Sequence, residues 1–318
     1  MSGDILVLVE HRDGAILDTT HELLGRARTL AGQRGGEAVA VLLGSGVAGL
    51  AGSLGAAARV IVLDDPGLAA FSPSAYQAAL VPLVRDRAPG LVLIANTGPG
   101  MDVAAGLSEA LELPLAAYAT DVTLDGGSPL VTCQLYAGKI QAKVRFTGGR
   151  GIVTVVSGSF AAETAAGSPA VENAAPAGTD GRIRFKGLHR PEAGDVDITR
   201  ESVLVSVGRG IGEQDNLKLV EALAAVLGGA VSSSRPIADA GWLPRTRQVG
   251  KSGLKVKPKV YLALGISGAP EHLEGMRNAE LIIAINSDAR APIFSVAHFG
   301  AVADLLDVVP ALTARLGG

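Results

Sequence analysis

Cysteine is almost missing from this chain: Cys133 is the only one in 318 residues. Internal disulfides, thiolate-rich metal sites and a Cys-x-x-Cys redox pair are thereby excluded. Aromatic residues make up only 3% of the sequence while 48% is hydrophobic, so any core must be aliphatic. The formal charge is −3 with no clustered basic excess, which removes the electrostatic footprint of a nucleic-acid binder. The five histidines show no metal-ligand spacing. No apolar run approaches the roughly 20 residues of a membrane span, so no direct membrane insertion is expected. Met1-Ser2-Gly3-Asp4 runs into a strand-like segment without a basic region or a long apolar stretch, so a secretory signal is not expected and a cytoplasmic location is. Small ligands and proteins remain as partners. If the chain moves electrons, a bound cofactor must carry them.

What is present is an alternation of short aliphatic runs and helical stretches. Ile5 to Val9, Ala38 to Leu43, Val60 to Leu63 and Leu91 to Ala95 read as buried strands, with helices over Thr20 to Ala31, Ser74 to Arg87 and Val103 to Leu111. Pro82 should disturb the second helix, because it lacks an amide. From Thr120 to Val156 the pattern changes to hairpin-like segments at Val131 to Tyr136, Lys139 to Phe146 and Ile152 to Val156, broken by paired small residues. Ala161 to Pro176 is rich in Ala, Gly, Ser and Pro and reads as a surface connection. A second unit begins at Val203 to Val207, continues through a helix over Asn216 to Leu227 and strands near Ala230 to Ser232, Val260 to Leu264 and Leu281 to Ile285, and ends in a helix from about Val302 to Leu316. The expected fold is α/β with two domains, 1–185 and 195–318, each a largely parallel sheet flanked by helices. The N-terminal one carries an added β-hairpin region.

Three glycine-containing stretches in the second half invite motif readings that their spacing does not support. In Gly208-Arg209-Gly210-Ile211-Gly212-Glu213 the third glycine falls one position early for a dinucleotide fingerprint, and the next strand ends in Ser-Ser-Ser-Arg rather than an acidic ribose ligand. Gly250-Lys251-Ser252 resembles the end of a P-loop, yet Arg245 stands where that loop needs glycine. Gly265-Ile266-Ser267-Gly268 lacks the spacing of a nucleophile elbow. In the first half, Asn96-Thr97-Gly98-Pro99-Gly100 follows a strand and precedes a helix. It reads either as a ligand crevice or as a structural turn.

Read in order, the second half runs Gly208-Arg209-Gly210, Ser233-Ser234-Arg235-Pro236, Asp239-Ala240-Gly241-Trp242, Gln248-Val249-Gly250-Lys251-Ser252-Gly253, and Tyr261 through Ala269. It continues with His272-Leu273-Glu274-Gly275-Met276, Ala284-Ile285-Asn286, Ala291-Pro292-Ile293-Phe294 and Ala303-Asp304-Leu305. This ordered string resembles the FAD domain of electron-transfer flavoprotein alpha subunits, densely from Val203 to the C-terminus and only in general pattern before it.

The resemblance implies a redox carrier that holds FAD and forms a heterodimer with a beta subunit. It would pass electrons from an acyl-CoA-type or other dehydrogenase, or from NADH if bifurcating, to a quinone-linked oxidoreductase or similar acceptor. It implies that Arg235 lies at the isoalloxazine face, that the Ser252 hydroxyl meets N5, and that His272 meets the C2 carbonyl region. Arg209, Ser234, Val249, Gly250 and Lys251 complete that half of the site. Backbone amides around Gly265 to Gly268, where a strand turns into a helix near Pro270, would receive the pyrophosphate, and Ser267, Gly268, Ala269 and Pro270 count among the cofactor-binding residues. Asn286, Asp304 and Leu305 fall to the ADP half. Donors and cations near N1, N5 and the C2 carbonyl suit a flavin, since reduction places negative charge there. One departure stands out: Glu271 occupies the position before the histidine where family members usually carry Gln. A carboxylate beside a reduced flavin must be protonated, paired or turned away. A non-redox nucleotide-binding regulatory module on the same scaffold is the main alternative, and an NAD-dependent enzyme the next.

Overall fold

The computed structural model describes residues 2–136, 138–164, 167–175, 185–187 and 196–317. The chain divides into two compact units, Met1–Gly187 and Leu188–Gly318.

The first unit contains strands β1 (Ile5–Leu8), β2 (His11–Arg12), β3 (Ala15–Ile16), β4 (Ala38–Gly44), β5 (Arg59–Asp64), β6 (Leu91–Ala95), β7 (Leu115–Asp125), β8 (Ser128–Leu135), β9 (Ile140–Arg145), β10 (Gly151–Val155) and β11 (Ala170–Asn173). Its helices are α1 (Asp18–Gln33), α2 (Pro73–Arg87) and α3 (Gly98–Leu111). Apart from the small β2–β3 hairpin, the strands form one sheet in the order β11-β5-β4-β1-β6-β10-β7-β8-β9. Pairing is parallel from β11 to β7 and antiparallel through β8 and β9. Ile5 and Val7 face one apolar layer and Leu6 and Leu8 the other. Both faces of these strands are therefore covered, which is why they read as unbroken aliphatic runs.

Three local expectations change. Helix α2 continues through Pro82 to Arg87. The run from Ile152 is not a hairpin arm: β10 inserts in parallel between β6 and β7, in the middle of the sheet. Within the expected surface connection, Ala170–Asn173 adds to the sheet edge along β5; residues 165, 166 and 176 of that stretch lie outside the described ones. An edge strand needs partners on one side only, so its side chains carry little apolar signal.

The second unit holds β12 (Val203–Val207), β13 (Ala230–Ser233), β14 (Val260–Leu264), β15 (Leu281–Asn286) and β16 (Phe299–Val302), with α4 (Leu217–Val226), α5 (Arg235–Asp239), α6 (Pro270–Met276) and α7 (Leu305–Leu316). The sheet is wholly parallel in the order β13-β12-β14-β15-β16. Strand β16 was not anticipated, and the last helix, expected from about Val302, starts at Leu305. All four residues of β16 are exposed, and Asp304 then caps α7 through the Leu306 amide at 2.8 Å.

The connection order reverses between β12 and β14: the chain leaves β12 to one side and builds β14, β15 and β16 on the other. Ligands of open α/β sheets bind outside the strand carboxyl ends at such a point.

Candidate functional site

At that switch point the turns after β12 and β14 touch backbone to backbone. The Gly208 amide donates to Leu264 O at 2.8 Å and the Gly210 amide to Gly265 O at 3.0 Å. A Cβ on Gly208 would stand 2.4 Å from Gly265 O, so no larger residue fits. After β14 the chain turns through Gly268, which has φ +83 and space for a Cβ only 2.3 Å from Ile293 N. Among the described residues, the amides of Ile266, Ser267, Gly268 and Ala269 donate to no backbone or side-chain acceptor. Four such amides in one turn make a concave, partially positive nest suited to a diphosphate.

Beside this nest lies a cavity of about 750 Å³. The turn after β12 contributes Arg209, and the end of β13 leads into Ser234 and Arg235 at the start of α5. The loop before β14 adds Val249, Gly250, Lys251 and Ser252. From the turn after β14 and from α6 come Ser267, Ala269, Glu271 and His272, and from β15 comes Asn286. A second space of about 440 Å³ is walled by Asn286, Asp304 and Leu305 and shares Gly210, Gly265 and Asn286 with the first. Gly268 and Pro270 line neither space, but belong to the turn into α6 whose other residues line the larger one. Gln248, Gly210 and Pro236 also line the larger cavity, although sequence reasoning did not single them out as site residues, and so do Gly265 and Ile266 of the expected amide turn. Gln248 carried a usable signal: it directly precedes Val249 in the string.

The polar groups differ in how committed they are. Arg235 is largely exposed and pairs with Asp239 at 3.1 Å, one helical turn on. Exposed pairs of this kind contribute little, so the guanidinium can be drawn to another anion. Asn286 Nδ2 donates to Ile266 O at 2.8 Å and Oδ1 accepts from the Asp288 amide at 2.9 Å. It therefore braces the amide turn. Glu271 is exposed in the first turn of α6 and forms no ion pair among the described residues. Its backbone oxygen accepts from the Lys251 amide at 2.7 Å, which presses the Val249–Gly253 loop onto α6.

His272 is 6% exposed, and its Nε2 lies 2.9 Å from the Tyr261 hydroxyl. Burial holds its pKa down to about 4. The Val249 carbonyl pulls the other way, while Nδ1, itself buried, meets full hydrogen-bond geometry with no partner among the described residues.

The Asn96–Gly100 turn of the first unit is different. Thr97 caps α3 through the Gly100 amide at 3.0 Å, Asn96 accepts from Thr154 Oγ1 at 2.8 Å, and the Glu10 carboxylate receives the Thr97 hydroxyl at 2.5 Å. Its polar groups are consumed internally, and the space beside it is about 110 Å³, so the structural turn is the reading that stands.

The second unit thus has the make-up of a nucleotide-binding α/β domain, with a turn of free amides and several cations in the wall of the larger of two spaces that share Gly210, Gly265 and Asn286. Residues 5–178 match the electron transfer flavoprotein domain and residues 197–277 the electron transfer flavoprotein FAD-binding domain. The electron transfer flavoprotein subunit alpha of Syntrophomonas wolfei is 40% identical over 98% of both chains. That of Bacillus subtilis is 33% identical over 98% of this chain and 97% of its own. The acryloyl-CoA reductase electron transfer subunit beta of Anaerotignum propionicum is 34% identical over 96% and 94%. The chain belongs to the electron transfer flavoprotein alpha-subunit family. It is an electron carrier whose cofactor is FAD, and the regulatory and NAD-dependent alternatives are not favoured.

Proposed function

We propose that the chain acts as one half of a heterodimer with an electron transfer flavoprotein beta subunit, in the cytoplasm. It takes electrons from an acyl-CoA-type or related dehydrogenase and passes them to a quinone-linked oxidoreductase or similar acceptor. Alpha subunits of this family pair with a beta subunit. Among the described residues no helix is long and apolar enough to cross a membrane.

One observation carries the cofactor geometry. Among the described residues, the four amides from Ile266 to Ala269 have no acceptor; Ile266, Ser267 and Ala269 line the larger space, directly after Gly265, which both spaces share. A diphosphate bound there would send the isoalloxazine into the larger space and the adenosine toward Asp304 and Leu305. FAD supplies the one- and two-electron chemistry when bound; the chain's own groups bind it and set its potential. In this reading the Arg235 guanidinium exchanges Asp239 for the ring face. The Ser252 hydroxyl donates toward N5, the His272 ring lies against the C2 carbonyl region, and Asn286 steadies the diphosphate turn. Arg209, Lys251 and Arg235 place positive charge where negative charge accumulates on reduction.

Co-expression with the beta subunit tests the proposal. The purified complex should show a flavin absorption band that bleaches when an acyl-CoA dehydrogenase and its substrate are added, and that returns with a quinone-linked oxidoreductase. A flavin band that neither partner changes would overturn the assignment of donor and acceptor.

A further inference from the structure

Helix α6 carries a buried glycine, Gly275, one residue before its end at Met276. Glycine in a helix costs backbone entropy relative to alanine and brings no side chain to pack, so its presence there calls for a physical reason. The reason is a backbone crossing. A Cβ on Gly275 would stand 2.4 Å from Gly250 N and 2.6 Å from Gly250 Cα. Gly250 has φ +140, and a Cβ on it would stand 2.9 Å from Glu271 O. Two glycines from different elements thus let the loop before β14 lie directly on α6.

The crossing is one of several ties along one helix face. Glu271, Glu274 and Gly275 follow the i, i+3, i+4 spacing that places residues on the same side of a helix. The Lys251 amide donates to Glu271 O at 2.7 Å, the Val256 amide donates to Gly275 O at 2.8 Å, and Lys255 Nζ lies 3.4 Å from Glu274 Oε1. The loop is also closed on itself: the Leu254 amide donates to Gln248 O at 2.8 Å and the Gly250 amide to Leu254 O at 3.1 Å. Ser252 is exposed within it, and among the described residues its hydroxyl is tied only to Gln248. Where that hydroxyl stands therefore follows from where the loop is held.

We infer that Gly275 is a positioning residue for the flavin site: the missing side chain lets the Val249–Gly253 loop seat on α6, and this seating sets the place from which the Ser252 hydroxyl reaches the cofactor. Gly275 lines neither space of the site and acts through the loop. An alanine would lift the loop from the helix, because the atoms nearest its Cβ are backbone and have no flexible end to yield. The inference rests on the reading of Ser252 as a donor to the flavin; the seating of the loop belongs to the chain alone.

Hydrogen exchange and potentiometry on the heterodimer test the two parts separately. In the FAD-free native complex the Lys251 amide, although on an exposed residue, should exchange at about the rate of the Arg277 amide, which closes α6 on Leu273 O at 3.0 Å. Gly275→Ala should speed Lys251 relative to Arg277 by about tenfold or more. Free exchange of Lys251 in the native complex, or an unchanged ratio in the variant, would overturn the seating. With FAD bound, Gly275→Ala should lower the flavin potential in the direction of Ser252→Ala, and should add no further drop in the Ser252→Ala background. An equal drop in both backgrounds would overturn the positioning role. Gly229→Ala is the control for general strain: its Cβ would meet Val203 O at 2.5 Å, neither residue lines the site, and the potential should stay where it is. A drop there as large as in Gly275→Ala would also overturn the role. If Ser252→Ala itself left the potential unaltered, the flavin reading of Ser252 would fail, while the exchange ratio still decided the seating.

Discussion

Gln248 Nε2 donates to the Ser252 hydroxyl at 3.0 Å, from a side chain only 5% exposed. The amide occupies a lone pair of the hydroxyl oxygen and leaves its proton free to point into the cavity. Ser252 is thereby prepared as a donor rather than an acceptor.

Ser252→Ala is therefore expected to lower the potential of the bound flavin, because a donor to the charged reduced form is lost. Such bonds contribute roughly 1.5–3 kcal/mol, on the order of 60–130 mV for one electron. Gln248→Ala should give a smaller drop in the same direction, and Ser252→Thr little change. Spectroelectrochemical titration measures all three, and an unaltered potential in Ser252→Ala would remove the hydroxyl from the flavin site.

His272 makes the second unit sensitive to acid. Its folded-state pKa of about 4 lies below the ordinary histidine value of 6.5, so the unfolded chain binds the extra proton first as pH falls. The stability held above about pH 6.5 is lost progressively down to about pH 4, with roughly 2 kcal/mol gone between pH 7 and pH 5. Trp242, the only tryptophan, packs against the core of this unit. Urea titrations followed by its fluorescence in flavin-free protein should show that loss, and His272→Gln should flatten it.

Gly268→Ala should disable the amide nest. The residue sits at φ +83, and an added Cβ would meet Ile293 N at 2.3 Å. Strain and displaced backbone together should cost roughly 2–4 kcal/mol. Loss of FAD on gel filtration and a lower urea midpoint are the expected readouts. Gly212→Ala provides the contrast: φ is similar at +80, but nothing stands within 4 Å of its Cβ. It should destabilise less and retain the flavin.

Glu271→Gln should raise the flavin potential by removing a carboxylate from the cavity wall. Because the side chain is exposed and screened, the change should stay near or below about 1 kcal/mol and shrink with added salt. Potentiometry at low and high ionic strength tests this; a shift of equal size at both would point to a hydrogen bond instead.

Much of the fold was legible in the sequence. Leu91–Ala95, Val203–Val207 and Val260–Leu264 lie where the aliphatic runs placed them, since strands buried on both faces are aliphatic at their ends. The edge strands Ala170–Asn173 and Phe299–Val302 were missed because they are largely exposed and carry no apolar period. The run from Ile152 was assigned to a hairpin, because a sequence records that a segment is β but not which strand it pairs with. The same limit applied to the site. Arg209, Ser252, His272 and Asn286 were given roles from an ordered string, whereas Ser206 lay unremarked within a strand and Tyr261 was quoted in the string without a role.

The sequence by itself determined the α/β class, the lack of thiol redox chemistry, and a C-terminal string that carries the flavin-site residues in order. Those properties follow from composition, period and order along the chain. Only the tertiary structure decided which of those residues share a wall, that four amides from Ile266 to Ala269 lack acceptors, and that Tyr261 reaches His272. Such contacts join strand ends and helices through space, and a one-dimensional pattern does not encode the partner of a hydrogen bond.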